Sequence, residues 1–379
     1  MKIGQWGSTE KGVLAALLGT TVLVFLPLFQ SLSRQYTDFG AHLEFAASLI
    51  RTGSTSLPHF VFEYGVALFY ALGLSLTQGA VLLSLIAMVS TAGVIFLIIK
   101  GDADPPLAAL LSFALLLVGP LSLITLPDLE LYLGYMTPNV YHNPTLILLK
   151  PIALGLLILG LRAFDRGVEE PRWGIIALAA MLSVFSCLTK PSFQIAFLPG
   201  LGLLTALAIV RREEVDLRLC VLGVAIPSFV VLGWQYSVGF GQVRTSEIFF
   251  APLQVIGFLA DRVFLKLFLS VVFPVLVTAL FFRDAFRDKR LMIAWSTAIF
   301  GLLYAYLLAE SGSRFSHGNF LWSGYIGISV LYVACIPVLL RQGKSSSQLL
   351  CWGVFSLQVL SGGIFAFSQA LGEQYLRYW

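Results

Sequence analysis

GVLAALLGTTVLVFLPLFQSL, from Gly12 to Leu32, runs for twenty-one residues without a charge. At 1.5 Å per residue such a run makes a helix of about 32 Å, enough to cross a hydrocarbon core of about 30 Å. Lys2 and Lys11 precede it and no small-residue cleavage site follows, so it reads as a first transmembrane helix rather than a removable signal. Further apolar runs recur outward from it, at 59–76, 79–99, 107–126, 145–164, 173–189, 192–210, 219–237, 263–282, 291–309, 320–340 and 349–370. That pattern predicts an all-α, polytopic integral membrane protein of about eleven to twelve transmembrane helices. Residues 1–379 form a single transmembrane domain, because no stretch of even sixty residues lacks a membrane-length run.

Composition agrees. Hydrophobic residues make up 58% of the chain, charged residues 12%, and mean hydropathy is +0.88. A soluble domain carries roughly 25% charged residues to face water. The net charge of +4 does not point to nucleic acid, since most cations sit in short loops between apolar runs, where they set topology. Cys187, Cys220, Cys335 and Cys351 all fall inside apolar segments without CxxC spacing, and read as small packing hydrophobes.

Four loops are basic: Arg162–Arg172, Arg211–Arg218, Arg283–Arg290 and Arg341–Lys344. Alternating crossings put all four on one side, expected to be cytoplasmic, and put 127–144, 238–262 and 310–319 outside. With the N-terminus inside, residues 33–57 form an outward juxtamembrane segment. Three full crossings from there cannot reach an outward 127–144, so one run must fail to cross. The expected one is 59–76, short and interrupted by Glu63 and several glycines, as a re-entrant or interfacial helix. The competing arrangement has an outside N-terminus and a cytoplasmic 33–57.

An ionisable group near hydrocarbon is expensive and therefore informative. All four histidines, His42, His59, His142 and His317, fall in outward loops or at their edges. In YTDFGAHLEFAASLIRTG (36–53), apolar residues at 39, 43, 46, 47 and 50 predict an amphipathic helix on the membrane surface, stopped by Gly53. Asp38 and His42 share one of its faces, with Glu44 close by; alternatively Thr37 or Asp38 serves only as the cap. Lys190 ends one run and Pro191 opens the next; the lysine either snorkels to the headgroups or binds a lipid phosphate. Lys150 lies inside a run and needs a polar cavity or a partner. Asp128–Thr145 is rich in tyrosine and fixed by Pro138 and Pro144, and 310–319 holds Arg314 and His317. There is no GxxxxGK[ST], GxSxG or HExxH.

Three features together resemble the GT-C superfamily of membrane glycosyltransferases. An acid, Asp38, stands in the first outward loop just after the first helix; amphipathic juxtamembrane helices follow; and Thr189-Lys190-Pro191, with Pro199 beyond, lies at the outer end of a mid-chain helix. The resemblance covers the layout of residues 1–210. Many members carry paired acids in that loop, where this chain has Asp38 and, six residues on, Glu44. The resemblance implies inverting transfer from a polyprenyl-phosphate sugar donor to a glycan or lipid acceptor, on the outer face of the plasma (inner) membrane, without a cofactor or metal. Asp38 would be the general base and His42 would orient it or the acceptor. Lys190 and Arg314, with Lys150 or His317, would hold the donor phosphate. Glu44, His59, Glu63 and His142 would meet the acceptor. Two other readings stay open: a polymerase or ligase of lipid-linked saccharides, and a lipid or sugar transporter, for which Lys150 and Lys266 are the relevant residues.

Overall fold

Each apolar run becomes helical, within a few residues of its expected bounds except at two points treated below. The computed structural model describes residues 7–35, 37–55, 57–124, 132–165, 172–240 and 247–372. The helices are α1 (Ser8–Leu32), α2 (Asp38–Thr52), α3 (Val61–Ala71), α4 (Leu76–Ile99), α5 (Pro105–Leu117), α6 (Pro144–Arg162), α7 (Trp173–Thr189), α8 (Ser192–Val210), α9 (Ile226–Phe240, continuing a π-helical opening over Leu219–Ala225), α10 (Gln254–Leu259), α11 (Val263–Leu280), α12 (Phe282–Arg287), α13 (Lys289–Leu307), α14 (Leu321–Leu340) and α15 (Ser346–Ala370). A short antiparallel ribbon pairs β1 (Ile248–Phe250) with β2 (Leu308–Glu310). Among the described residues nine helical segments are long and apolar enough to cross a membrane, and α3, α5 and α7 are shorter apolar helices. The protein is polytopic and nearly all-α.

Large side chains such as Leu23, Phe229, Val230, Phe264 and Phe367 are exposed on the bundle's flanks. A soluble protein rarely leaves apolar faces of that extent open, and a bilayer covers them. α14 is buried along almost its whole length and forms the centre. It packs tightly on α13 because Gly301 has no side chain: a Cβ there would lie 2.3 Å from the Ser323 carbonyl oxygen.

Ion pairs gather the basic loops at one end of the bundle. Arg290 and Arg341 both reach Asp102, at 3.9 and 3.7 Å. Arg341 also pairs with Asp288, and Lys289 with Glu213. Arg172 bridges Asp165 at 3.0 Å and Asp216 at 3.7 Å. Lys100, at the end of α4, lies 3.8 Å from Glu10 at the start of α1. Hence α1 begins at the end that holds the basic loops, as the first of the two arrangements requires, and α2 lies at the opposite end. Residues 166–171 of the first basic loop fall outside the described residues.

The run expected at 59–76 shrinks to the eleven residues of α3. At 1.5 Å each these cover about 16 Å, half of a hydrocarbon core. α3 folds back on the first turns of α4, where a Cβ on Gly65 would meet Leu83 and one on Gly79 would meet Phe69. The expected 107–126 helix also stops early, at Leu117. Beyond it the chain leaves the α-helix, makes one 3-10 turn at Ser122–Ile124 and is largely buried where described; residues 125–131, which include the start of the expected outward loop, fall outside the described residues. Irregular backbone is tolerated at membrane depth only where protein satisfies it, and here it is satisfied. Gly119 N donates to Gln358 O at 3.0 Å, and Leu121 N to Leu269 O at 3.1 Å. Asn139 Nδ2 caps the Leu115 and Val118 carbonyls at 2.9 and 2.8 Å, and the Tyr141 hydroxyl donates to Leu116 O at 2.8 Å.

Candidate active site

Thr37, not Asp38, caps α2: its side chain accepts from Phe39 N at 3.3 Å, and Gly53 closes the helix with φ +72°. The face turned inward is Phe39, His42, Ala46 and Leu49, rotated from the expected 39, 43, 46, 47 and 50, of which Ile50 is exposed. The rotation follows from what lies beneath. Phe39 packs against Phe29 and Phe62, and His42 meets a buried acid. Because Thr37 does the capping, the half-buried Asp38 carboxylate is free to bond across the bundle.

Its partner is Asn143, whose Nδ2 donates to Asp38 Oδ2 at 2.6 Å. Asn143 is the N-cap of α6, with Pro144 at the first helical position. Its Oδ1 accepts from Leu146 N and from Thr145 Oγ1, both at 2.8 Å. With the oxygen so engaged, only the amide nitrogen remains to face Asp38. Thr145 Oγ1 in turn accepts from Lys190 Nζ at 3.2 Å. Carboxylate, amide, hydroxyl and ammonium thus form one chain of three hydrogen bonds. Lys190 stands between α7 and α8 in extended backbone (φ −168°, ψ 121°), the conformation that a following proline imposes. Its ammonium lies 4.7 Å from the Trp322 ring centre, a cation–π contact.

Around this chain sit three of the four histidines. His42 Nδ1 is hydrogen-bonded to Glu63 Oε1, and Glu63 is wholly buried, with no hydrogen-bond partner for Oε2 among the described residues. The expected orientation of Asp38 by His42 is therefore replaced: Asn143 holds Asp38, and His42 holds Glu63. His142 packs edge-on against Tyr132 at 4.9 Å and against Trp322 at 6.2 Å. Burial lowers its pKa, with Asp38 opposing and Lys190 adding to the shift. The half-buried His59 is pulled down to about 3 by burial, then by Lys190 and by His42. Both rings are consequently neutral near pH 7 and suited to hydrogen bonding rather than to pairing with an anion. Burial brings the Lys190 ammonium down to about 8, although Asp38 and Glu63 pull it upward.

The structure thus brings together Asp38, His42, His59, Glu63, His142 and Lys190, and leaves four expected residues outside. Glu44 is exposed on the opposite face of α2. Lys150 finds a partner rather than a cavity: its ammonium bonds Asn139 Oδ1 and pins the irregular segment. Arg314 turns to Glu310, four residues back, at 3.4 Å, and Asn319 bonds the same carboxylate. His317 is exposed at the end of a short 3-10 helix, Gly312–His317. Sequence reasoning missed Asn143, Thr145 and Trp322. The Asn-Pro-Thr order is a legible N-cap signal for the first two, whereas nothing in the sequence marks Trp322. Among the described residues no group of three or more histidines, cysteines or acids has metal-binding geometry. In comparisons with known proteins, neither a family model nor a curated protein matches this chain.

Proposed function

We propose that the protein is a membrane glycosyltransferase that moves a sugar from a polyprenyl-phosphate donor to a glycan or lipid acceptor, on the face of the plasma membrane opposite its basic loops. The observation that carries this reading is the Asp38–Asn143–Thr145–Lys190 chain. It holds a carboxylate and an ammonium at one site without pairing them directly, so that each keeps its reactivity. In the reaction the acceptor oxygen bonds to the anomeric carbon as the bond from that carbon to the phosphate oxygen breaks. The acceptor proton passes to Asp38, and the departing polyprenyl phosphate leaves as an anion opposite Lys190. Inversion follows from attack on the face away from the leaving group. His59 and His142, being neutral, donate or accept hydrogen bonds to hydroxyls.

Incubating the purified protein with a panel of polyprenyl-phosphate sugars and candidate acceptors tests the reading. Transfer from one donor is expected, and hydrolysis or polymerisation of a lipid-linked oligosaccharide instead would replace it. The donor interaction should also depend on pH. Lys190 is charged below about 8 and neutral above it, so donor affinity should fall as pH rises through that value. A flat donor KM between pH 6.5 and 9.5 would remove Lys190 from phosphate binding.

Sidedness has its own test. The four native cysteines are buried and give a quiet background, while His317 is exposed. A His317→Cys protein in intact cells should react with a membrane-impermeant maleimide. Labelling only after lysis would turn the molecule over.

A further inference from the structure

At the end of the bundle away from the basic loops, the C-terminal ends of α1 and α15 line a groove of about 390 Å³. One wall is the end of α1 and the turn after it, with Pro27, Gln30 and Ser31 on the helix and Arg34 and Gln35 just beyond its last residue, Leu32. Ala370 and Gly372 form the other wall. Two of these polar groups are spent on holding the helices together. Ser31 Oγ donates to Gln369 O at 2.9 Å, and Gln35 Nε2 donates to Ser31 Oγ at 2.8 Å and to Gln369 O at 3.3 Å. The other two are not. Gln30, in the last turn of α1, and Arg34, two residues past its end, are exposed, and neither side chain has a partner among the described residues.

Most of the ion-paired cations lie at the other end, whereas Arg34 stands at this one, exposed beside the groove. Its guanidinium offers several N–H donors in a planar fork that matches phosphate oxygens. About one turn closer to the bilayer centre than Pro27 and Ala370, the exposed side chains are apolar, Leu23 of α1 and Phe367 of α15. A polar notch at headgroup level, with a guanidinium unpaired among the described residues and apolar side chains beneath it, matches a lipid better than a soluble anion.

We propose that this groove seats an anionic phospholipid, with its phosphate on Arg34 and Gln30 and an acyl chain along the α1–α15 seam. The site is separate from the Asp38–Lys190 chain and stands whether or not the protein transfers sugars.

The test uses the full chain in phosphatidylcholine nanodiscs containing increasing phosphatidylglycerol, with retained lipid counted by native mass spectrometry of the intact protein. Wild type should hold a phosphatidylglycerol that Arg34→Ala releases, its retention weakened about fivefold or more, since one basic residue at a membrane surface contributes about 1 kcal/mol. Arg34→Lys should keep part of it. Ala370→Trp, which fills the groove and leaves the cation, should lose it as well. If that variant misfolds, as thermal melting would reveal, the Ala and Lys variants at position 34 decide alone. Equal retention by wild type and Arg34→Ala overturns the proposal. So does displacement of the lipid by inorganic phosphate at equal concentration, which would make this a site for free anions.

Discussion

Transfer by an Asp38→Asn protein is expected to drop about 10²–10⁴-fold, the usual contribution of a positioned general base, while the fold is retained. Asparagine is isosteric with aspartate, and its carbonyl oxygen can still accept from Asn143 Nδ2, which now donates to Asp38 Oδ2 at 2.6 Å. Thr37 continues to cap α2. The variant therefore removes the proton acceptor and little else. Because the acceptor hydroxyl must lose its proton in the transition state, kcat should carry the loss and donor binding should change little. An Asp38→Asn protein as active as wild type would end the base assignment. An equal loss in a Glu44→Gln protein, whose parent side chain is exposed on the other face of α2, would show that neither acid acts directly.

Lys190→Ala is expected to raise donor KM more than acceptor KM and to lower kcat/KM for donor by about 10²–10³-fold, the scale found when one charge-stabilising group is removed from a transition state. Three features concentrate the effect at this residue. Lys190 is nearly buried, so its attraction for a phosphate is weakly screened. Its ammonium spends a hydrogen bond on Thr145 and a face on Trp322, which fix it in place. And the other cations expected to share the work are engaged elsewhere, Lys150 on Asn139 and Arg314 on Glu310. Lys190→Arg should restore part of the donor affinity, because the charge returns in a bulkier shape. Equal changes in donor and acceptor KM would assign Lys190 to holding the α7–α8 junction together instead of to phosphate binding.

The membrane fold was legible in the chain because a bilayer imposes a one-dimensional rule. A span needs about twenty apolar residues whatever it packs against, so the bounds of α7 and α8 could be read to the residue. Loop charge likewise orders the ends without reference to neighbours. With the N-terminus inside, the parity of the crossings required one run to stop short, and the short, Glu63-interrupted run at 59–76, expected to be that one, yields only the eleven residues of α3. Cap and turn chemistry are also local, which is why the Gly53 stop and the break between α7 and α8 at Lys190-Pro191 followed from adjacent residues.

What tertiary structure alone decided is pairing across the bundle. Asp38 meets Asn143 over 105 positions of sequence, and Lys190 meets Thr145 over 45. Periodicity assigned His42 to Asp38 because both share a helical face, but packing against Phe62 gave it to Glu63. Packing also converted the end of the expected 107–126 helix into buried irregular chain, since Asn139, Tyr141 and α15 supply the hydrogen bonds that a helix would have made for itself. Hydrophobicity and capping act over a few neighbours and can be read along the chain. A hydrogen bond between distant helices depends on their relative rotation and height, which are set only when every side chain between them has packed.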